Sequence, residues 1–168
     1  MFCFNNQVLI LFRLVNCCYT FVLAIIRCQV QNNATMNVTI LCMNSLYREI
    51  LDHWATRIPG IQVLGTVSTV EEFCNLRMAQ DTDVLILGLH SKNPSDLSFI
   101  KRISNEYVDI KILVVSMFND QKFQILLKEM GADGFIEKYS IGSELAPAIQ
   151  KINNGEVHFC TRLDKCKA

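Results

Sequence analysis

Five side chains that could bind a ligand or react lie where predicted buried strands end. Cys42 and Met43 end the first such strand, and Ser116 lies at the end of the fourth. His90 directly follows the third strand, and Lys138 directly follows the fifth. Thiol, thioether and imidazole groups are soft ligands that suit copper or zinc. Cys42, Met43 and His90 are therefore one candidate metal set, although unpaired Cys and His are more often structural. Ser116 lacks the G-x-S-x-G elbow of a hydrolase nucleophile, which argues against that activity.

The elements that must position these side chains alternate between strand-like and helix-like patterns. Strands are predicted at 36–43, 61–67, 82–89, 111–117 and 134–137. Helices are predicted at 45–58, 68–78, 97–107, 120–130 and 143–153. The run 82–89 is apolar almost throughout, which is typical of a strand buried on both faces in the middle of a sheet.

Short loops between alternating strands and helices predict a parallel sheet with right-handed crossovers and helices on both faces. In such sheets the functional crevice opens at the carboxyl ends of the strands. Four residues of the first helix are predicted to face the core, namely Leu46, Ile50, Leu51 and Trp54. A capping box from Ser68 to Glu71 is predicted to open the second helix, and Asn119 to cap the fourth.

Composition excludes some classes of function. Lys+Arg and Asp+Glu number 16 each, so the net charge is zero and nothing favours nucleic acid binding by this chain alone. The 8 cysteines lack paired spacing. They therefore predict free thiols in a reducing cytoplasm rather than a disulfide framework.

Residues 1–35 differ in composition from the rest and allow three interpretations. A membrane helix over 7–26 would enclose Arg13 and Asn16, and a central arginine costs about 2.5 to 3.5 kcal/mol on insertion. A signal peptide would need a basic start, which is missing. We favour a start at Met36, with 1–35 a mis-called extension, 36–160 the domain and 161–168 a short tail. Membrane association is disfavoured.

Several segments carry a resemblance that spans about 36–163. They are Leu46-Tyr-Arg-Glu49, 59–65, 83–87, 111–117 and, most specific, Gly131-Ala-Asp-Gly-Phe-Ile-Glu-Lys138. At these positions the chain resembles the receiver domain of two-component response regulators, of the kind linked to LuxR-type helix-turn-helix output domains. The resemblance implies an α/β, flavodoxin-like fold with a doubly wound five-stranded parallel sheet of order 2-1-3-4-5.

The resemblance also implies a site from which three groups have been lost. An acidic pair that holds Mg²⁺ aligns with Cys42 and Met43, and the phosphate-accepting aspartate aligns with Gly88. Thiol and thioether cannot replace hard oxygen ligands, and glycine cannot form an acyl phosphate. We therefore expect no Mg²⁺ site, no other cofactor and no catalytic residue.

Three positions match the family. Ser116 and Lys138 align with its hydroxyl and its lysine, and Phe135 with the aromatic residue that moves on activation. Simpler roles are predicted for all three: Ser116 bonds nearby backbone, Phe135 is core, and Lys138 extends to the surface.

Three hypotheses of function follow. The first is a pseudo-receiver, not an enzyme, that acts without phosphate through a homodimer or a protein partner. The second is the remnant of a transcription regulator, because 161–168 is too short for a DNA-binding domain. The third is a membrane-tethered module that uses 7–26.

Overall fold

The computed structural model describes residues 35–75, 78–92 and 94–159. The predicted extension up to 34 and the predicted tail 161–168 lie outside these residues, as does the candidate span 7–26. The described residues from Met36 onward belong to one compact unit. No described helix combines the length and the apolar content that crossing a bilayer requires.

The sheet has six parallel strands in the order β2-β1-β3-β4-β5-β6. The strands are β1 Met36–Cys42, β2 Ile61–Val67, β3 Val84–Leu89, β4 Lys111–Ser116, β5 Gly134–Glu137 and β6 His158–Phe159. The predicted order 2-1-3-4-5 is confirmed. The sixth strand was not predicted, because two residues are too few to show the alternation that marks a strand.

Helices cover both faces of the sheet. They are α1 Ser45–Ala55, α2 Val70–Asn75, α3 Met78–Asp81, α4 Pro94–Glu106, α5 Gln121–Glu129 and α6 Ile141–Asn153, with a 3-10 turn at Lys138–Ser140. The helix predicted over 68–78 is described as Val70–Asn75 and Met78–Asp81, on either side of residues 76–77. Two other helices begin earlier than predicted, α4 at Pro94 and α6 at Ile141. For α4 the reason is that proline is well tolerated at the first position of a helix.

All six residues of β3 are buried. Alternate residues enter two separate cores: Leu85 and Leu87 pack with α4 residues on one face, while Val84 and Ile86 pack with α1 and α6 residues on the other. This explains the unbroken apolar run, because a strand covered on both faces has no solvent-facing position.

The predicted core face of α1 is largely wrong. Leu46, Ile50 and Trp54 are 67%, 38% and 41% exposed, and only Leu51 of the predicted four is buried. The buried row is Tyr47, Leu51 and Ala55. Two apolar rows of spacing four lie side by side on this helix, and periodicity alone does not decide which of them meets the sheet.

The cap of α2 lies one residue later than predicted. Thr69 Oγ1 accepts a hydrogen bond from the Glu72 amide at 3.2 Å, and the Glu72 carboxylate accepts one from the Thr69 amide at 3.4 Å. The capping box is therefore Thr69 to Glu72, not Ser68 to Glu71. Ser68 donates to the same carboxylate from its amide at 2.7 Å. These hydrogen bonds lower the pKa of Glu72.

The cap of α5 is also shifted by one residue. Asp120, not Asn119, has the extended backbone of an N-cap, and its side chain accepts from the Phe123 amide at 3.0 Å. Asn119 instead accepts from the Gln124 side-chain amide at 3.0 Å. The predicted left-handed glycine after this helix is confirmed, since Gly131 has φ +95°.

We predict that residues 36–160 alone form a soluble folded domain, because this segment contributes every strand and both cores that the structure describes. Circular dichroism and urea unfolding of 36–160, beside the full chain, would give the same helix content and one cooperative transition. Insoluble or unfolded material from 36–160 would contradict the predicted domain boundary.

Candidate functional site

The carboxyl ends of β1, β3, β4 and β5 bring most of the predicted site positions together. Cys42 lies directly opposite Gly88 in the β1–β3 register. Ser116 lies opposite Glu137 in the β4–β5 register, immediately before Lys138. The site is thus one edge of the sheet, which is where doubly wound folds place their ligands.

Gly88 leaves no room for a side chain. A Cβ atom built at Gly88 would lie 2.7 Å from Cys42 Sγ and 3.1 Å from Cys42 Cβ, with Leu51 Cδ1 at 3.5 Å. Real Cβ atoms essentially never come within 3.0 Å of another heavy atom in this way. The Cys42 thiol therefore occupies the space that a side chain at position 88 would need.

The Cys42 thiol is wholly buried. Burial raises its pKa, opposed by a backbone hydrogen bond from Asn44 and by the charges of Lys138 and Arg48. Arg48 also donates to the Cys42 carbonyl at 2.8 Å. Cys42 Sγ lies 3.6 Å from His90 Nε2, within hydrogen-bonding range of a thiol. At neutral pH the group is a protonated thiol.

Lys138 contacts an aromatic ring. Its Nζ lies 3.4 Å from the ring centroid of Tyr47, a cation–π arrangement. The side chain is half-buried, and desolvation lowers its pKa. Lys138 therefore packs over Tyr47 of the buried row of α1, while its side chain stays partly exposed.

Tyr47 is the residue of this site that the sequence did not indicate. Its ring meets the His90 ring edge-on, with centroids 6.0 Å apart. Burial, and to a lesser degree the Cys42 charge, raises the pKa of its hydroxyl well above the usual range. The available signal is the spacing of Tyr47, Leu51 and Ala55. This row lies beside the bulkier row of Leu46, Ile50 and Trp54, which has the same spacing.

Ser116 and Phe135 have the simpler roles predicted for them. Ser116 is fully buried, and its hydroxyl accepts from the Phe118 amide at 3.3 Å. Phe135 is fully buried in the core on the α4 and α5 side of the sheet.

The donor set at this edge does not fit Mg²⁺. Cys42 offers a buried thiol, Met43 a thioether that is 71% exposed, and Gly88 no side chain, whereas Mg²⁺ requires hard oxygen ligands. Within 35–75, 78–92 and 94–159, no three His, Cys, Asp or Glu residues are grouped so as to hold a metal ion. Cys42 and His90 meet, but they supply only two ligands of the proposed soft set.

Sequence comparison finds that this chain is similar to response regulators. No family model matches. The chain is 29% identical over 119 residues to the oxygen regulatory protein NreC of Staphylococcus epidermidis, a match that covers 70% of this chain and 50% of that protein. It is 31% identical over 98 residues to a nitrate/nitrite response regulator homologue of Haemophilus influenzae, covering 58% and 47%. The chain spans about half the length of the curated relatives it matches.

Solved structures give the same fold. The isolated receiver domain of RcsB from Salmonella enterica serovar Typhimurium, in its apo form, superposes with a TM-score of 0.69 at 19% identity, covering 78% of this chain and 97% of that one. A LuxR-family two-component response regulator from Aurantimonas gives 0.69 at 22% identity, covering 78% and 94%. By sequence the chain is therefore similar to response regulators, and the fold of its described domain is that of a receiver domain.

Proposed function

We propose that this receiver acts without phosphoryl transfer, as a regulatory module derived from a two-component transcription regulator that works through protein contacts. On this proposal the domain is not an enzyme and does not bind Mg²⁺. The observation that carries the proposal is the contact between Gly88 and Cys42.

Phosphoryl transfer to a receiver needs an acceptor oxygen and a cation that neutralises the moving charge. Gly88 supplies no oxygen, and the space beside it is filled by Cys42 Sγ. Cys42 and Met43 supply sulfur where the metal would need oxygen. Acceptor and metal ligands are thus missing together, which supports a function that uses neither.

The retained lysine supports the same proposal. Lys138 Nζ lies over the Tyr47 ring instead of beside a carboxylate pair. At a partly exposed site a cation–π contact contributes about 0.5 to 1 kcal/mol, so Lys138 has a partner when no phosphoryl group is present.

An exposed apolar surface supports action through protein contacts. We call it the α1 face; it comprises Leu46, Ile50, Trp54, Met117 and Tyr139. All but Leu46 line one groove, together with residues of the turn before α6. Exposed apolar patches of this kind mark protein interfaces, and the zero net charge offers little repulsion between two copies. We propose a homodimer through this face, with a different protein partner as the alternative.

Two other proposals remain beside this one. Because the chain spans about half of its curated relatives, the domain is alternatively the receiver part of a DNA-binding regulator. A membrane-tethered module would use residues 7–26, which lie outside the described part of the chain. We place the module in the cytoplasm, where its free thiols Cys42 and Cys74 remain reduced.

We predict that the chain takes no phosphoryl group from acetyl phosphate in the presence of Mg²⁺, as measured by intact mass and by phosphate-affinity gels. Gly88→Asp alone stays inert, because Mg²⁺ would still lack its two other carboxylates. The triple variant Cys42→Asp, Met43→Asp, Gly88→Asp serves as the matched positive test, with Ser116 and Lys138 in place. Mg²⁺-dependent labelling of the natural chain would contradict the proposal.

A second prediction concerns packing at the same contact. Gly88→Ala should lower the free energy of unfolding by about 1 to 3 kcal/mol, because its Cβ would overlap Cys42 Sγ. In the Cys42→Ala background the same change should cost at least about 1 kcal/mol less, a coupling that a double-mutant cycle in urea measures. Equal costs in the two backgrounds would show that the thiol does not fill the space at position 88.

A third prediction concerns association. Leu46→Ser and Tyr139→Ser should weaken self-association at least tenfold in sedimentation equilibrium, since both remove apolar area from the α1 face. Val108→Ser is the matched control. Val108 is similarly exposed, but it precedes β4 and therefore lies at the amino ends of the strands. A natural chain that stays monomeric at high concentration would exclude the homodimer and leave the different partner.

A further inference from the structure

A cavity of about 620 Å³ opens at the carboxyl ends of β1 and β3. It lies on the α2 and α4 side of the sheet, whereas Tyr47 packs on the α1 side. Its floor consists of the apolar side chains Leu41, Leu87, Leu89, Val70 and Phe99. This volume falls within the range of small-molecule sites, about 300 to 1,000 Å³.

Several polar groups at the rim are engaged within the protein. Ser68 Oγ donates to the Glu72 carboxylate at 3.0 Å, and Thr69 Oγ1 accepts from the Glu72 amide. The Arg102 guanidinium pairs with Glu106 at 3.0 Å. Since Glu71 adds a further carboxylate to the rim, the rim does not favour an anionic ligand. The floor favours one that buries apolar area.

We propose that this cavity binds a small, largely apolar organic molecule with one hydrogen-bonding end directed at the rim. The position supports it, because ligands of doubly wound folds bind at the carboxyl ends of the strands. Burial of apolar surface supplies the affinity, at about 25 cal/mol per Å² of area removed from water.

His90 connects the cavity to the site described above. Its ring lines the cavity, while its Nε2 lies 3.6 Å from Cys42 Sγ and its ring plane meets that of Tyr47. A ligand that displaces His90 would alter both contacts, and through Tyr47 the position of Lys138. The ligand would thus give the domain an input that needs no phosphoryl group, which goes beyond the function proposed above.

The test uses the full chain and the uncharged apolar fluorescent probe N-phenyl-1-naphthylamine. We expect saturable binding, with amide shift changes in a two-dimensional nitrogen-proton spectrum concentrated at Leu41, Leu87, Leu89 and His90. Ser98→Trp, which adds a ring to an exposed position of the cavity wall on α4, should weaken this binding at least tenfold. Circular dichroism establishes that each variant is folded.

Two matched variants localise the effect. Asn105→Trp adds the same ring to an exposed position two turns further along α4, away from the cavity lining, and should leave binding unchanged. Val108→Ser removes exposed apolar area outside both the cavity lining and the α1 face, and should also leave binding unchanged. Undiminished binding by folded Ser98→Trp, or shift changes confined to the α1 face in the natural chain, would overturn the proposal. If Ser98→Trp does not fold, the shift map of the natural chain alone decides. Phosphoryl labelling is not involved, so this result is independent of the earlier one.

Discussion

Burial of β3 on both faces is the constraint on which the rest of the structure depends. The side chains of β3 pack alternately into two cores, so helices must cover both faces of the sheet. The strand therefore has no free position until it reaches its carboxyl end, near Gly88. There β1 packs against β3, and the Cys42 side chain occupies the space beside Gly88.

The fold was predictable because its signals are long and redundant. Alternating strand and helix patterns predicted a parallel sheet, and the family resemblance implied the strand order that the structure shows. Single-residue features were less predictable. Both helix caps were placed one residue early, since neighbouring Ser, Thr, Asn and Asp residues all have capping side chains and only the backbone path selects among them.

The site was predictable in its positions and only partly in its contacts. The alignment of Cys42, Gly88 and Lys138 at one edge followed from the strand ends. The cation–π contact did not, because it depends on which apolar row of α1 meets the sheet. Once Tyr47 faces inward, its ring meets both His90 and Lys138, while the row of Leu46, Ile50 and Trp54 is left on the surface.

The charges around Cys42 have a consequence for the electric field at this edge. The two charged side chains that act on the thiol, Lys138 and Arg48, are both cationic. The potential at the buried Cys42 thiol is therefore positive, the reverse of the potential that a cluster of carboxylates creates. A dication at the position of this thiol would be repelled.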